Sequence, residues 1–378
     1  MAPPQPPPVP IPLFPPAPNI KLVTNKKLQD ALDAATSGLS KKGYGLTIVD
    51  TGSAAADASE FPSAGVNDDI EHYAGSTLKA ACMYAPFSLR DLVTRFNTAR
   101  TPKDANALFQ MIRKELDPRI AVCCPMIQGR ADSVRSPAWR DMFEASGKDG
   151  TVTVNFTRDY AKSLWKMIVP SDNNEAGRCI RGVGYAYLNG LMLNHGFFDA
   201  SAKKGVWLAG DYGSSEVVTI PCDNDKDTKQ GTTSAMMARL GLSIFVHRIL
   251  PGTSSAGMLE LLRQSAHGSD SSYFTRGEMG AHALTGDQVT HGKIGLGDLK
   301  SRRKVFADLN AINNPVGHAG NFTVCYTNVD YNPYSIQAVL KAFTDTISIY
   351  QGITAAPAAP APAATAPATA PRADRTTH

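Results

Sequence analysis

The chain has 378 residues, 43% hydrophobic and 19% charged, and its 38 basic and 34 acidic side chains leave a formal charge of +4. That balance is ordinary for a globular protein and offers no concentrated positive field for nucleic acid. The basic clusters Lys41-Lys42 and Arg302-Arg303-Lys304 are short enough to be solvated surface. No run of about 18 apolar residues exists, so no membrane span is predicted.

In chain order, residues 2–18 and 355–371 are Pro/Ala tracts that cannot build a core, so residues 1–20 and 354–378 are expected to be disordered tails. One folded unit is expected over 21–353. Prolines interrupt every apolar stretch of the N-terminus and the first lysine is Lys21, so the start does not read as a signal peptide. This predicts a cytoplasmic protein, or a periplasmic or secreted one if the numbering begins after a removed export signal. Asn25 to Gly38 places Leu28, Ala31, Leu32 and Ala35 at helical spacing before a glycine stop. Tyr44 to Asp50 reads as a strand, followed by a polar loop to Ser76. Leu78 to Val93 is apolar enough for a buried helix, which Pro86 should end or kink.

Residues 100–200 form an all-α block with helices over Ala105 to Leu116, Asp159 to Ile168 and Asn174 to Leu193. Gly231 to Leu240 and Ser254 to Gln264 add two more, the first opened by Thr/Ser caps. The period then changes. Val289 to Leu296, Lys304 to Ile312 and Phe322 to Val329 read as strands, and Pro333 to Tyr350 as a closing helix with one apolar face. The economical topology is an α/β (α+β) domain: one antiparallel sheet flanked by the N- and C-terminal helices, with an inserted all-α subdomain. Residues 21–75 and 285–353 would form the α/β part and 76–284 the mainly helical part.

Three short signatures carry chemistry. In Ser76-Thr77-Leu78-Lys79 a serine lies one helical turn from a lysine, and the apolar neighbours Ala80 to Ala85 would desolvate that lysine and bring its pKa toward the range of a general base. Read without context, the pair is a helix cap and a surface lysine. Ser171-Asp172-Asn173 follows Pro170 and opens a helix; it is either an N-cap or a polar cleft edge where Ser171 relays a proton and Asn173 binds a substrate amide. Lys293-Ile294-Gly295 sits on the first C-terminal strand, where a lysine between glycines can hold a carboxylate or tune the relay, or lie on the surface of a Gly-rich strand. The six cysteines, Cys82, Cys123, Cys124, Cys179, Cys222 and Cys325, show no C-x-x-C pair, so no metal and no cofactor is expected. Either Cys82 bridges to the Cys123-Cys124 pair in an oxidising compartment or the thiols are buried and free.

In this order the motifs resemble those of the serine β-lactamase and penicillin-binding protein superfamily, most closely its class A β-lactamase-like branch, whose set is S-x-x-K, S-D-N and K-T-G. Gly231 to Gln264 also looks like that family's Thr-capped helix pair, so the resemblance covers roughly residues 25–350. It implies an active site between an α/β and an all-α part, with Ser76 as nucleophile, Lys79 as general base, Ser171 as proton relay, Asn173 as amide-binding residue and Lys293 as the strand lysine. It further implies substrate binding along Gly295 and Leu296, and an oxyanion hole from the backbone N–H groups of Ser76 and Leu296. Two departures stand out. Ile294 replaces the strand hydroxyl that would hold a substrate carboxylate, and the loop signature E-x-x-L-N is missing. Glu216, followed by Val217 to Pro221, is the candidate for the deacylation base. The expected function is a serine hydrolase forming an acyl-enzyme on Ser76 with a small-molecule or peptide-like amide or ester; the alternative is a weak or inactive binding or scaffold protein of the same fold. Oligomeric state is not legible.

Overall fold

The computed structural model describes residues 10–40, 43–52, 58–128, 136–147, 152–212, 218–246, 249–268, 289–313 and 321–352. Strand β1 (Lys21–Thr24) leads into helix α1 (Lys26–Ala35), whose N-cap Asn25 accepts from the Leu28 N–H at 3.0 Å. Strands β2 (Gly45–Asp50) and β3 (Glu60–Val66) follow, and a 3₁₀ turn (Gly75–Leu78) runs straight into α2 (Lys79–Arg100). The middle of the chain supplies α3 (Ala105–Ile120), α4 (Arg158–Ile168), α5 (Asn173–Val183), α6 (Tyr185–Asn194), α7 (Ser234–Phe245) and α8 (Gly252–Gly268). Strands β4 (Val289–Asp298), β5 (Lys304–Ile312) and β6 (Phe322–Asp330) precede the last helix, α9 (Pro333–Gln351).

The strands form one six-stranded sheet in the order β1-β3-β2-β6-β5-β4. Every pairing is antiparallel except β1 with β3, which is parallel. One face carries α1 and α9, burying Leu28, Leu32, Ile336, Val339, Phe343 and Ile347 against Leu46, Ile48, Val324 and Tyr326. The other carries α7, where Thr47 Oγ1 and Ser234 Oγ share a 2.8 Å hydrogen bond and Gly241 leaves room for the Leu309 side chain. The site-bearing strand β4 is the far edge, packed against α8 and the Gly75–Leu78 turn. The expected sheet with covering terminal helices and a helical insertion is the architecture observed.

Several expectations need correction. The polar loop before Ser76 contains β3, hidden in sequence by Pro62 and Gly65, which weaken a strand pattern. Pro86 does not end helix α2, which runs on to Arg100: residues 79 to 89 are all buried, and that packing outweighs the one backbone hydrogen bond that proline removes. The helix read over 174–193 is two, broken at Gly184 with φ +86°. The block read as all-α contains an antiparallel strand pair, Phe143–Ser146 with Thr153–Phe156.

Residues 10–20 are not a free tail. Ile11, Leu13 and Ile20 are buried in the main core, and the Phe14 ring lies 5.3 Å from that of Tyr187. A proline-rich segment has few N–H donors, so its carbonyls must find donors elsewhere. Arg119 donates to Ile11 O (2.8 Å), Arg95 to Pro12 O (2.9 Å) and Arg239 to Ile20 O (2.8 Å), and His195 Nε2 lies 3.0 Å from Pro15 O. Residues 1–9 and 353–378 lie outside the described residues. The six cysteines are free thiols, all buried but the half-buried Cys123.

Candidate active site

Three elements meet at one end of α2. The first is the Gly75–Leu78 turn, which begins at Gly75 with φ +56°, a conformation that favours glycine. A Cβ there would sit 2.6 Å from Leu296 O, so the glycine also lets β4 lie directly against the turn. Gly295 answers it from the strand side, where a Cβ would run into the Ala74 carbonyl oxygen and Thr77 Oγ1. The two glycines thus set the backbones of Ser76 and Leu296 side by side. The N–H groups at the start of a helical turn have no partner inside it and are open to a ligand.

The second element is the loop before α5. Asp172 is the N-cap, accepting from Asn174 N (2.8 Å) and Glu175 N (3.1 Å), so capping belongs to the middle residue of Ser171-Asp172-Asn173. Its neighbours turn to the lysines. Ser171 is held at φ +61°, a strained backbone for a residue with a Cβ and a feature that clusters at functional sites.

The lysines bind these elements together. Lys79 Nζ donates to Ser171 O (2.5 Å), Ser171 Oγ (3.2 Å) and Asn173 Oδ1 (2.7 Å), and lies 4.7 Å from the centre of the Tyr212 ring. Lys293, from β4, donates to Ser171 Oγ at 2.9 Å and to Ile294 O at 3.2 Å. Two ammonium groups therefore converge on one hydroxyl, and both side chains are 0% exposed. Burial lowers Lys79 to about 8, against the opposing pull of Cys82 and Asp172. Burial, and then the like charge of Lys79, lowers Lys293 to about 7, with Asp308 opposing. Near neutral pH the pair sheds a proton, and a neutral amine is the form that accepts one from a hydroxyl.

Ser76 is half-buried and, with Asn173, Leu296, Tyr73 and Tyr212, lines a cleft of about 320 Å³. None of the three hydrogen bonds from Lys79 goes to Ser76. Asn173 gives its Oδ1 to Lys79, which leaves its amide N–H₂ for the cleft. Leu296 is 47% exposed at the cleft wall, while Ile294 is buried in the cluster that holds Leu28, Phe306 and Ile336. Of the seven residues singled out at the three motifs, Ser76, Asn173 and Leu296 line the cleft, Lys79, Ser171 and Lys293 are linked to Asn173 by hydrogen bonds, and Gly295 packs against the turn that carries Ser76. Glu216 lies outside the described residues.

Sequence reading missed Tyr212 and Tyr73. Tyr212 donates its hydroxyl to Gly75 O (3.3 Å) and shares a hydrogen bond with the Cys82 thiol. The one signal for it is an aromatic set between small and glycine residues in Ala209-Gly210-Asp211-Tyr212-Gly213. Beside it Asp211 forms an ion pair with Arg181. Tyr73 packs on Gly297, where a Cβ would strike its ring. Among the described residues no helix is long and apolar enough to cross a membrane, and no group of three His, Cys, Asp or Glu side chains could hold a metal.

No family model matches this sequence, and no curated protein matches it. Solved structures do. The TLA-3 extended-spectrum β-lactamase is 13% identical with a TM-score of 0.50, over 86% of this chain and 98% of that one. A variant of the TLA-1 extended-spectrum β-lactamase is 14% identical with a TM-score of 0.50, over 86% and 99%. The β-lactamase from Sphaerobacter thermophilus DSM 20745 is 18% identical with a TM-score of 0.45, over 87% and 97%. The chain has a β-lactamase-like fold.

Proposed function

We propose that this protein is a serine hydrolase that forms an acyl-enzyme on Ser76 with an amide or ester, either a β-lactam or a peptide-like substrate. The observation that carries the reading is the convergence of two buried, easily deprotonated lysines on Ser171 Oγ beside the cleft that holds Ser76. In this mechanism Ser76 Oγ attacks the carbonyl carbon and its proton passes to the neutral amine of Lys79 as the site closes around substrate. The developing oxyanion is met by the Ser76 and Leu296 N–H groups. Ser171, supported by Lys293, hands a proton to the leaving nitrogen or oxygen. Asn173 turns its free amide to a substrate carbonyl.

With Ile294 in place of a hydroxyl, a carboxylate beside the scissile bond gains no side-chain donor at that strand position. Turnover of penicillin-like acids is accordingly expected to be poor even where labelling succeeds. A second reading, a weakly active or inactive binding protein, draws on Lys79 being fully engaged without touching Ser76. Intact mass spectra after exposure to a fluorescent penicillin, nitrocefin and a serine-reactive phosphonate separate the two. The hydrolase reading expects at least one adduct that is absent from Ser76→Ala; a blank with all three supports the binding protein.

A further inference from the structure

We propose that Tyr212 sets the lifetime of an acyl group on Ser76, by keeping water from the Lys79 side of the serine and by holding Lys79 in its charged form. The inference rests on Ser76 being the nucleophile. Tyr212 is anchored at both ends of the catalytic turn: its hydroxyl is on Gly75 O, one residue before Ser76, and its ring faces the Lys79 ammonium.

Hydrolysis of the ester forms a bond from water oxygen to the acyl carbon and breaks the bond from that carbon to Ser76 Oγ. One water proton must go to a base, and Ser76 Oγ must leave with a proton. The base needs a lone pair within reach of the water. Among the described residues on this side of the serine, no such lone pair is presented. The three N–H directions of Lys79 are taken by Ser171 O, Ser171 Oγ and Asn173 Oδ1, and the aromatic face covers it as well. Burial pushes the Tyr212 phenol well above 10 and the Cys82 thiol up to about 12, so both stay protonated at neutral pH.

The ring also acts on charge. A cation over an aromatic face is attracted to it, more so when desolvated, so Tyr212 favours the ammonium of Lys79. Among the described residues, the other titratable groups acting on this ammonium are Cys82 on its own helix, Asp172 at the start of α5 and Lys293 on β4. Replacing the ring by an aliphatic side chain of similar volume keeps Lys79 desolvated and removes this attraction, so Lys79 becomes easier to deprotonate.

The test labels the full chain with a fluorescent penicillin and follows loss of the adduct by intact mass, in wild type, Tyr212→Phe, Tyr212→Leu and Tyr212→Met. Methionine keeps most of the volume and is the fallback if leucine does not fold. Tyr212→Phe should retain the wild-type lifetime, because the face remains. Tyr212→Leu or Tyr212→Met should shorten it by about tenfold or more, and should move the pH midpoint of labelling down by roughly half a unit to one unit. A purely packing role would leave the midpoint in place. Equal lifetimes with an unmoved midpoint overturn the assignment of Tyr212 while leaving Ser76 as nucleophile; no adduct in any form overturns both.

Discussion

Replacing Lys293 by methionine should change how stability depends on pH. Lys293 is 0% exposed, and its amine falls from 10.5 to about 7, chiefly through burial and then through the like charge of Lys79. Below about pH 7 the folded and unfolded chains both carry the proton, and the fold must hold a buried ammonium. Between about 7 and 10.5 the unfolded chain binds a proton that the folded chain has released, so raising the pH stabilises the fold, by up to about 1.4 kcal/mol per unit. From pH 7 to pH 9 the contribution of Lys293 to this rise is about 2 kcal/mol. Lys293→Met removes it. Lys79 goes on titrating in the variant, so the slope falls without vanishing. Urea unfolding at pH 7, 8 and 9 reads the difference directly. At pH 7 the variant should also be the more stable form, as buried charges replaced by apolar side chains often are. Parallel pH profiles for wild type and variant would refute the reasoning, since Lys293 would then be charged in the folded state throughout.

Three further expectations follow from the same geometry. Ser171→Ala removes the acceptor shared by both lysines and should slow labelling of Ser76 by about 10²–10⁴-fold, measured as the pseudo-first-order rate of adduct formation. Gly295→Ala should disrupt the site and cost about 1–3 kcal/mol in unfolding free energy, because the added methyl meets the Ala74 carbonyl and Thr77 rather than a flexible side-chain end. Leu13→Ala should lower stability by about 2 kcal/mol or more in thermal unfolding; a free N-terminal segment would show no change.

Much of the fold could be read because the deciding patterns are local. The strands at 289, 304 and 322 and the closing helix show their period plainly, and the structure has them almost residue for residue. What could not be read depends on partners distant in sequence. Strand β3 exists because β1 and β2 flank it, in spite of Pro62 and Gly65. Residues 10–20 dock because Arg95, Arg119 and Arg239, far along the chain, donate to their carbonyls. The candidate site divides in the same way. Ser76, Lys79, Ser171 and Lys293 stand out as motif residues, and desolvation of Lys79 could be foreseen from its apolar neighbours. The sharing of Ser171 Oγ by two lysines could not, since it depends on how α5 and β4 meet. Tyr212 carries no motif and is visible only by where its ring lies.

The central claim is a covalent bond at one oxygen. Digestion of the protein after treatment with a fluorescent penicillin or a serine-reactive phosphonate, followed by fragment sequencing, locates the adduct. The adduct is expected on Ser76 and should disappear in Ser76→Ala. An adduct on any other serine, or one that survives that substitution, would contradict it.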